Sequence, residues 1–483
     1  MFAPRRVGAA AIVMFAVISA APVSQAQVDD WKRIQIPPLH PFRPPVPKRI
    51  QFSNGMVIFL LEDHELPLVT GAAEIRGGSV EEPAEKAGLV RLYGQVWRTG
   101  GTNSQTGDQL DDSLEARAAK VETSGGLEST SIGWNCLKDN LDDVFKVFVG
   151  LLREPEFRED KIVLAKRQIE SAISRRNDEP FSIAFREASK LVYGADSPFA
   201  RTSEYATVAA VTRDDLVAWH ERYVHPNNII LGVTGDFDST AMETKLRAAF
   251  ESWQKGPVPA KPQATFHDPK PGIYFVEKED VTASLIQMID LGAVRNSPDF
   301  YAIEVFNQFF GGSFSSRLFS NIRSKKGLAY DVGGGIEANY DYPGMLRLFL
   351  ATKSATSVAA IDAFYEEIDA LKTNPGTPEE LSKAKDEILN SFVFRFDSSE
   401  KVLRERMTYE FYGYPSDFLE KYRAGIEKVS QEDLARVEQK YIHKDRVGVL
   451  VIGNAADFDK PLSTLGPVTT LDVSIPPPPD ERH

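Results

Sequence analysis

The chain has 483 residues, of which 56 are Lys or Arg and 69 are Asp or Glu, so its formal net charge is −13 at pH 7. This acidic balance, without a basic stripe along the chain, argues against nucleic acid as a partner. The single cysteine, Cys136, excludes an intramolecular disulfide, so stability must come from burial of the apolar residues that make up 42% of the chain. A chain of this length predicts two to four domains.

The first 26 residues have the pattern of an export signal. Arg5 and Arg6 precede an apolar run over 7–21, and the small residues Ser24 and Ala26 form a site that a signal peptidase accepts. A run this short, followed at once by polar residues, favours a cleaved signal over a membrane anchor. We therefore expect a protein that is exported, to the periplasm of a bacterium, and that is not inserted in a membrane after cleavage of residues 1–26.

The segment that follows predicts strands around an amphipathic helix. VPKRIQFSNGMVIFLLED has the pattern of a hairpin that turns at Asn54-Gly55, because this dipeptide suits the positive φ angles of a tight turn. LPLVTGAAEIRGG and GLESTSIGW predict two further strands. Between them, GLVRLYGQVW has the leading glycine and the apolar periodicity of a helix. Arg91, Gly94 and Gln95 stand at the i, i+3 and i+4 positions of this helix, which lie on one face.

The C-terminal part of the chain repeats the N-terminal part. TRDDLVAWHERYVHPNNIILGVTGDFD resembles SQEDLARVEQKYIHKDRVGVLVIGNAADFD, with Tyr223 matching Tyr441 and His225 matching His443 at an offset of 218. Each copy begins with a capping residue and an acid three positions later, and continues as a helix and a strand. The matching positions of His225 and His443 indicate a structural role for both.

An apolar helix face upstream recurs at nearly the same offset. Its members are Leu141, Val144, Phe145, Phe148 and Leu151 in the first copy, and Ile361, Phe364, Tyr365, Ile368 and Leu371 in the second. The offset is 220, and Pro155 and Pro375 follow the two helices. Offsets shared across helices and turns predict two copies of one unit.

These patterns define a domain organisation and a fold class. We predict one domain over 48–253 and a second over 272–470, joined by a Pro- and Gly-rich linker over 254–271. A proline-rich tail follows over 471–483. The fold class is α/β (α+β), in which each of two homologous domains is a mixed, mostly antiparallel sheet packed with helices.

Several segments together resemble the pitrilysin and insulinase type of zinc metallopeptidase, the inverted-zincin family. They are RGGSVEEPAEKAGLVRLYGQVWRTGGT, GGSFSSRLFSNIRSKKGLAYDVGGG, and the duplicated RYVHPNNIILGVTGDF and KYIHKDRVGVLVIGNAADF. The resemblance covers most of the chain after the signal. It implies two similar domains that face each other like a clamshell around a substrate chamber. Exported bacterial members of this short type are often encoded as pairs, one subunit bearing zinc and its partner not.

The residues of the family's zinc signature are replaced by other residues in this sequence. The family carries His-x-x-Glu-His on the first helix and a further Glu about eighty residues on; the histidines hold zinc, and the motif Glu is the general base. Arg91 and Gln95 match the two histidines, Gly94 matches the Glu, and Ala172 matches the downstream ligand. Glu170 is not a replacement, because it lies about 200° around the helix from the required face.

No other metal site is predicted. None of the seven histidines has a second His or Cys at metal-binding spacing, and Asp63-His64-Glu65 is expected to be a solvated turn. A permanent cation at Arg91 would also repel a metal ion. We therefore expect this chain to hold no metal, with zinc supplied by a partner subunit.

The second domain keeps residues that the family uses. The resemblance assigns Arg323 and Tyr330, seven residues apart in SRLFSNIRSKKGLAY, to substrate binding and to the oxyanion that develops at the zinc site. A guanidinium and a phenol can hold a peptide carbonyl and stabilise its growing charge. The alternative is that Arg323 ends a helix in solvent and Tyr330 packs within a strand.

The sequence therefore predicts a non-catalytic subunit of an exported heterodimeric zinc metallopeptidase. Its expected partners are a homologous zinc-bearing subunit and a peptide substrate, and the isolated chain is expected to be inactive. One alternative is a protein of the envelope that binds peptides or scaffolds a complex without proteolysis. Another is a peptidase that works alone with altered ligands, which Arg91 argues against.

Overall fold

The computed structural model describes residues 44–261 and 264–479, so the predicted signal lies outside the described residues. The first half of the described chain contains a six-stranded sheet in the order β1-β2-β6-β3-β5-β4. Its strands are β1 (Lys48–Gln51), β2 (Val57–Glu62), β3 (Leu68–Arg76), β4 (Lys120–Gly125), β5 (Ser129–Leu137) and β6 (Ile229–Gly235). Only β2 and β6 pair in parallel, and every other neighbouring pair is antiparallel.

The helices of this half pack mainly on the core face of the sheet. They are α1 (Leu89–Thr99), α2 (Gly107–Glu115), α3 (Leu141–Arg153), α4 (Glu159–Ser174), α5 (Pro180–Tyr193), α6 (Tyr205–Ala209), α7 (Arg213–Tyr223) and α8 (Ser239–Phe250). The predicted apolar face of α3 is buried at Val144, Phe145, Phe148 and Leu151. A single hydrophobic core therefore joins α1, α3 and α4 to the sheet.

A second six-stranded sheet has the order β10-β12-β8-β13-β7-β14. Its strands are β7 (Gly272–Glu277), β8 (Ala283–Leu291), β10 (Asp331–Ile336), β12 (Met345–Lys353), β13 (Gly448–Gly453) and β14 (Val468–Thr470), while β9 (Ala293–Val294) and β11 (Ala338–Asn339) form a small separate pair. The helices of this half are α9 (Phe300–Phe310), α10 (Ser357–Leu371), α11 (Pro378–Ser391), α12 (Ser399–Tyr412), α13 (Phe418–Lys428) and α14 (Gln431–Tyr441).

The two halves repeat one fold, as the sequence predicts. Read in opposite directions, the two strand orders coincide over five positions, from β4 against β10 to β2 against β7. The sixth positions differ, because β1 forms a hairpin with β2 whereas β14 returns from the C-terminal end to lie parallel to β7. The fold prediction of two mixed, mostly antiparallel sheets with helices is thus confirmed.

Two helices are exchanged between the halves. Helix α5 leaves the first half and packs on β8 and β13 of the second sheet, where Ile183 and Ala188 join a core with Leu285, Ile289 and Leu450. The sequence repeat places α12 at the equivalent position, and α12 packs on β6 and β2 of the first sheet. Each sheet therefore has one face covered by a helix from the other half.

A glycine in the first sheet makes room for α12. A Cβ atom added to Gly232 of β6 would lie 2.9 Å from Leu403 Cδ2 and closer still to the sulfur of Met407. At the margin of the same contact, Glu410 accepts two hydrogen bonds from Arg49, at 2.9 and 2.7 Å. Close approach at Gly232 and a bidentate ion pair together fix α12 on the first sheet.

The local signals in the sequence correspond to observed turns and caps. Gly55 has φ +89°, as the predicted hairpin requires, and β1 pairs antiparallel with β2. Thr212 and Ser430 cap α7 and α14 through the acids three positions later. Among the described residues, no helix is long and apolar enough to cross a membrane.

Candidate functional site

Helix α1 carries three of the four positions at which the family holds its zinc chemistry. Its first turn is fixed by Glu82, whose carboxylate accepts hydrogen bonds from the backbone amides of Gly88, at 2.9 Å, and Val90, at 3.0 Å. Gly88 has φ +106°, which permits the tight entry into the helix. Burial raises the pKa of Glu82, and the two amide bonds oppose that rise. The helix is therefore held rigidly although its chemistry is lost.

Gly94, at the general-base position, packs directly against strand β4. A Cβ atom added there would lie 2.6 Å from the carbonyl carbon of Ser124 and still closer to the amide nitrogen of Gly125. The hydroxyl of Thr123 donates a hydrogen bond of 2.6 Å to the backbone carbonyl of Gly94. The backbone of β4 thus occupies the space into which any side chain at position 94 would project.

This contact argues against one expectation that helix propensity alone gives. Gly94 in a helix interior predicts that Gly94→Ala raises stability or leaves it unchanged, because glycine is a poor helix former. Only the tertiary structure reveals that β4 leaves no room for a methyl group. The same contact is made from the other side, since a Cβ atom on Gly125 would meet the backbone of Val90.

The other vacated positions offer no set of zinc ligands. Arg91 is exposed and has neither a hydrogen bond nor an ion pair among the described residues, and the side-chain oxygen of Gln95 is buried without a partner. Ala172 lies half-buried on α4, which packs on α1. A guanidinium, an amide and two residues without donor atoms do not fit a zinc ion. Nowhere in the described chain do three or more His, Cys, Asp or Glu side chains form a group suited to a metal.

The histidine nearest to α1 is part of the core. The hydroxyl of Tyr93 lies 2.9 Å from Nδ1 of His220, and Nε2 of His220 lies 3.1 Å from the carbonyl oxygen of Leu152. Since the carbonyl can only accept, Nε2 carries the proton and Nδ1 accepts from the tyrosine. Burial lowers the pKa of His220 to about 4, so the ring is neutral at neutral pH.

His64, in the only histidine cluster that the sequence offers, lies at the surface. Its Nδ1 is 2.6 Å from Asp236 and its Nε2 is 3.3 Å from Glu62, on opposite sides of the ring. These carboxylates, first Asp236, raise the pKa of His64. Asp63 accepts a hydrogen bond of 2.6 Å from Ser399 in the other half. These contacts connect the segment of Asp63 and His64 with Asp236 and with Ser399 of α12, and they do not direct several ligands toward one metal position.

Arg323 and Tyr330 lie together at the surface of the second half. Arg323 is on a short π-helix, Phe319–Lys325. Such helices are rare in proteins, but those that occur are often at functional sites. Its guanidinium carbon lies 4.6 Å from the ring of Phe319 and 6.0 Å from that of Tyr330. Tyr330 is 83% exposed, although its backbone amide continues the ladder by donating to Ala351. The alternative in which Tyr330 packs inside a strand is therefore wrong.

Phe314 belongs to the same surface, which sequence reasoning missed. It is also 83% exposed, and its ring meets that of Phe319 edge to face at 5.1 Å between centroids. A phenylalanine after two glycines, in GGSFSS, is the signal that could have indicated it. No described hydrogen bond or ion pair connects this surface with Arg91 or Gln95.

A cleft opens between the two halves beside α12. Its volume is about 520 Å³, with Ala72 and Gly133 of the first sheet on its floor and Arg404 of α12 on its wall. Glu74 lines the same cleft, and burial raises the pKa of its carboxyl group. The small residues Ala72 and Gly133 leave this space between the sheet and α12.

Comparison with known families places both halves in one group. The model of the family described as Insulinase (Peptidase family M16) matches residues 57–197, and a model described as Peptidase M16 inactive domain matches residues 210–388. Together the two models span most of the part that the sequence analysis assigns to the two copies.

Relatives and solved structures agree with this match. The chain is 24% identical over 357 residues to the Bacillus subtilis protein named uncharacterized zinc protease YmxG, covering 73% of this chain and 85% of that one. It is 22% identical over 377 residues to the Helicobacter pylori protein named non-peptidase homolog YmxG, covering 77% and 86%. A crystal structure of a peptidase M16 inactive domain from Pseudomonas fluorescens shares the fold, with a TM-score of 0.75, 22% identity, and coverage of 84% of this chain and 98% of that one.

Proposed function

This chain belongs to the insulinase family of peptidases, family M16, and we propose that it is the non-catalytic subunit of an exported heterodimeric zinc metallopeptidase. In that assembly a homologous partner subunit holds the zinc. This chain contributes Arg323 and Tyr330 to the peptide substrate and forms part of the chamber. Export to the periplasm, through residues 1–26, is part of the same proposal.

One observation carries the proposal. Positions 91, 94, 95 and 172 of the first half carry no zinc ligand or general base, while the second half presents a half-buried Arg323 beside an exposed Tyr330. A guanidinium and a phenol hydroxyl are donors that suit the oxygen of a peptide carbonyl as it gains charge. Such donors can hold a bound peptide in any case, but they accelerate its hydrolysis only where another group attacks the carbonyl. The combination therefore favours a shared active site over a solitary one.

The names of two relatives support the absence of independent activity. The Helicobacter pylori relative is named a non-peptidase homolog, and another Bacillus subtilis relative, 22% identical over 299 residues, is named probable inactive metalloprotease YmfF. Other relatives are named zinc proteases, so the residues of this chain, rather than its family, decide the matter. Gly94 supports the proposal most directly, because the backbone of β4 lies where the side chain of a general base would start.

Reconstitution tests the proposal. This chain is mixed with a zinc-bearing subunit, sought as a His-x-x-Glu-His protein encoded beside it, and peptide hydrolysis is measured for the pair and for each subunit alone. The pair is expected to be far more active than either subunit. Arg323→Ala and Tyr330→Phe should each lower kcat/KM by about 100- to 1,000-fold, the usual cost of one such donor.

Two controls make this test decisive. Size-exclusion chromatography checks that each variant still assembles, and Arg423→Ala, at an exposed arginine on α13, should leave kcat/KM unchanged. If the Arg323 and Tyr330 variants assemble and keep full activity, the two chains share no active site. The alternative, a peptide-binding or scaffolding protein of the envelope, would then replace the proposal.

A further inference from the structure

A second cleft lies between α10 and α14 of the second half. Its volume is about 240 Å³. Apolar side chains form its walls and polar side chains stand among them; the lining comprises Ile368, Leu371, Lys372, Pro375, Ala435, Glu438, Gln439, Ile442 and His443. This volume is below the range of about 300–1,000 Å³ that is typical of ligand pockets, so the cleft suits only a compact organic group.

Glu438 lines this cleft with a carboxyl group that lacks a partner. The residue is 5% exposed, and its Oε1 atom has no hydrogen-bond donor. The nearest guanidinium is already engaged, because Arg317 donates to both carboxylate oxygens of Glu380, at 2.7 and 2.6 Å, and to the carbonyl of Asn374. Arg317 is therefore the ion-pair partner of Glu380, and it gives no hydrogen bond to Glu438.

At the equivalent position in the first half, side chains of the protein fill the space. The offset of 218 that relates the two copies puts His220 at the position of Glu438. His220 is fully hydrogen-bonded, to Tyr93 and to Leu152, and the rings of Trp97 and Phe157 pack on it at 5.7 and 6.0 Å. The first half thus closes the site with aromatic side chains, whereas the second half leaves an open cleft and an unpaired acid.

We propose that the cleft between α10 and α14 binds a small organic cation, a primary amine on a compact apolar body. The ammonium group donates to the carboxylate of Glu438, and the apolar body contacts Leu371, Ala435 and Ile442. The bound ligand supplies the donor that Oε1 lacks, and its positive charge balances the carboxylate that Glu438 becomes when it loses its proton. No covalent change is involved.

The other charged groups around the cleft are accounted for within the protein. Lys372 at the mouth donates to Asp369 at 2.9 Å, and Asp369 also accepts from Lys444 at 2.7 Å. His443 lies with Nε2 3.2 Å from the carbonyl oxygen of Lys440. None of these side chains reaches Glu438 by a hydrogen bond, so the buried carboxyl remains the group that a ligand meets.

Binding of an amine is coupled to loss of a proton from Glu438. Burial raises the pKa of Glu438 to about 8, so the free cleft holds a neutral acid at pH 7, and the proton passes to solvent when the ammonium group binds. If only the ionised form binds, the apparent Kd should fall about 50-fold between pH 6 and pH 8. The amine itself stays protonated over this range, since alkyl ammonium groups titrate near pH 10.

Calorimetric titration of the purified chain with benzylamine, benzamide and benzoate at pH 6, 7 and 8 tests the proposal. These probes share one ring and differ in the polar group. Benzylamine is expected to bind, with the pH dependence given above and with release of a proton; the other two should bind at least tenfold more weakly at pH 8. No partner subunit is needed, so the outcome is independent of the proposed peptidase function.

Variants of the cleft complete the experiment. Glu438→Gln, which keeps the shape and removes the charge, and Ala435→Phe, which fills the cleft, should each abolish benzylamine binding. Glu432→Gln, at an exposed acid on the same helix, is the matched control and should bind as the unaltered chain does. Equal affinity for benzylamine in Glu438→Gln, stronger binding of benzoate than of benzylamine, or no binding of benzylamine at millimolar concentration would each overturn the proposal.

Discussion

The contact between α1 and β4 predicts that Gly94→Ala destabilises the protein. Replacing glycine by alanine in a helix interior favours folding by about 1 kcal/mol. Against this, the new Cβ atom would lie 2.6 Å from the carbonyl carbon of Ser124, and nearer still to Gly125, so α1 or β4 must shift. Overpacking of a well-packed interior costs about 1–3 kcal/mol, and a clash with backbone belongs at the upper end. The net expectation is a loss of about 2 kcal/mol.

Urea unfolding followed by circular dichroism measures this loss, with Gly150→Ala as the matched control. Gly150 is also inside a helix, α3, but a Cβ atom there meets only the methyl group of Thr102, at 3.3 Å. Gly150→Ala gains the same helix propensity without a backbone clash, and should be neutral or slightly stabilising. If Gly94→Ala unfolds at the same or a higher urea concentration than the unaltered chain, the packing argument is wrong.

Three further predictions follow from the same structure. Restoring the family residues at the four replaced positions should not create peptidase activity, because β4 occupies the place of the general base at position 94; peptide hydrolysis in the presence of zinc checks this for the combination Arg91→His, Gly94→Glu, Gln95→His and Ala172→Glu. Glu438 has a pKa of about 8 in the folded chain, raised from 4.5, so its contribution to the free energy of unfolding falls as pH rises from about 4.5 to 8. In urea unfolding, the free energy of unfolding of Glu438→Gln relative to that of the unaltered chain should therefore increase from pH 5 to pH 8. His220 has a pKa lowered from 6.5 to about 4, so the free energy of unfolding that its neutral ring contributes above pH 6.5 is lost as the pH falls toward 4. Tyr93→Phe leaves Nδ1 of His220 without a hydrogen-bond donor, so it should lower the free energy of unfolding by about 1–3 kcal/mol at pH 7 in the same assay.

The sequence predicts much of this fold because its signals are local or repeated. Asn54-Gly55 specifies a hairpin through backbone angles that few other residues adopt, and the hairpin is present. The apolar spacing of α3 specifies which face is buried. The internal repeat then carries each local prediction from one half to the other, which is why two similar sheets could be expected before any contact was known.

The contacts that the sequence does not reveal are those between distant segments. Nothing local in FSIAFREASKL indicates that α5 packs on the sheet of the other half, since an amphipathic helix has the same pattern whichever sheet it covers. The vacated motif is similar. The sequence itself places Arg91 and Gln95 where the family has its histidines, but the close contact between Gly94 and β4 involves a strand about thirty residues away along the chain.

The exchange of α5 and α12 gives a physical reason for a first half without its own chemistry. Helix α12 leaves the second half to cover β2 and β6, and α5 leaves the first half to complete the core of β8 and β13. The surface that presents Arg323 and Tyr330 lies beside β10, the edge strand of that second sheet. Since the core of the second sheet includes Ile183 and Ala188 of α5, the second half cannot bury its own apolar surface without the first. The first half therefore supports the Arg323 surface through packing, and this role sets no requirement on the residues at positions 91 and 95 beyond their compatibility with helix α1.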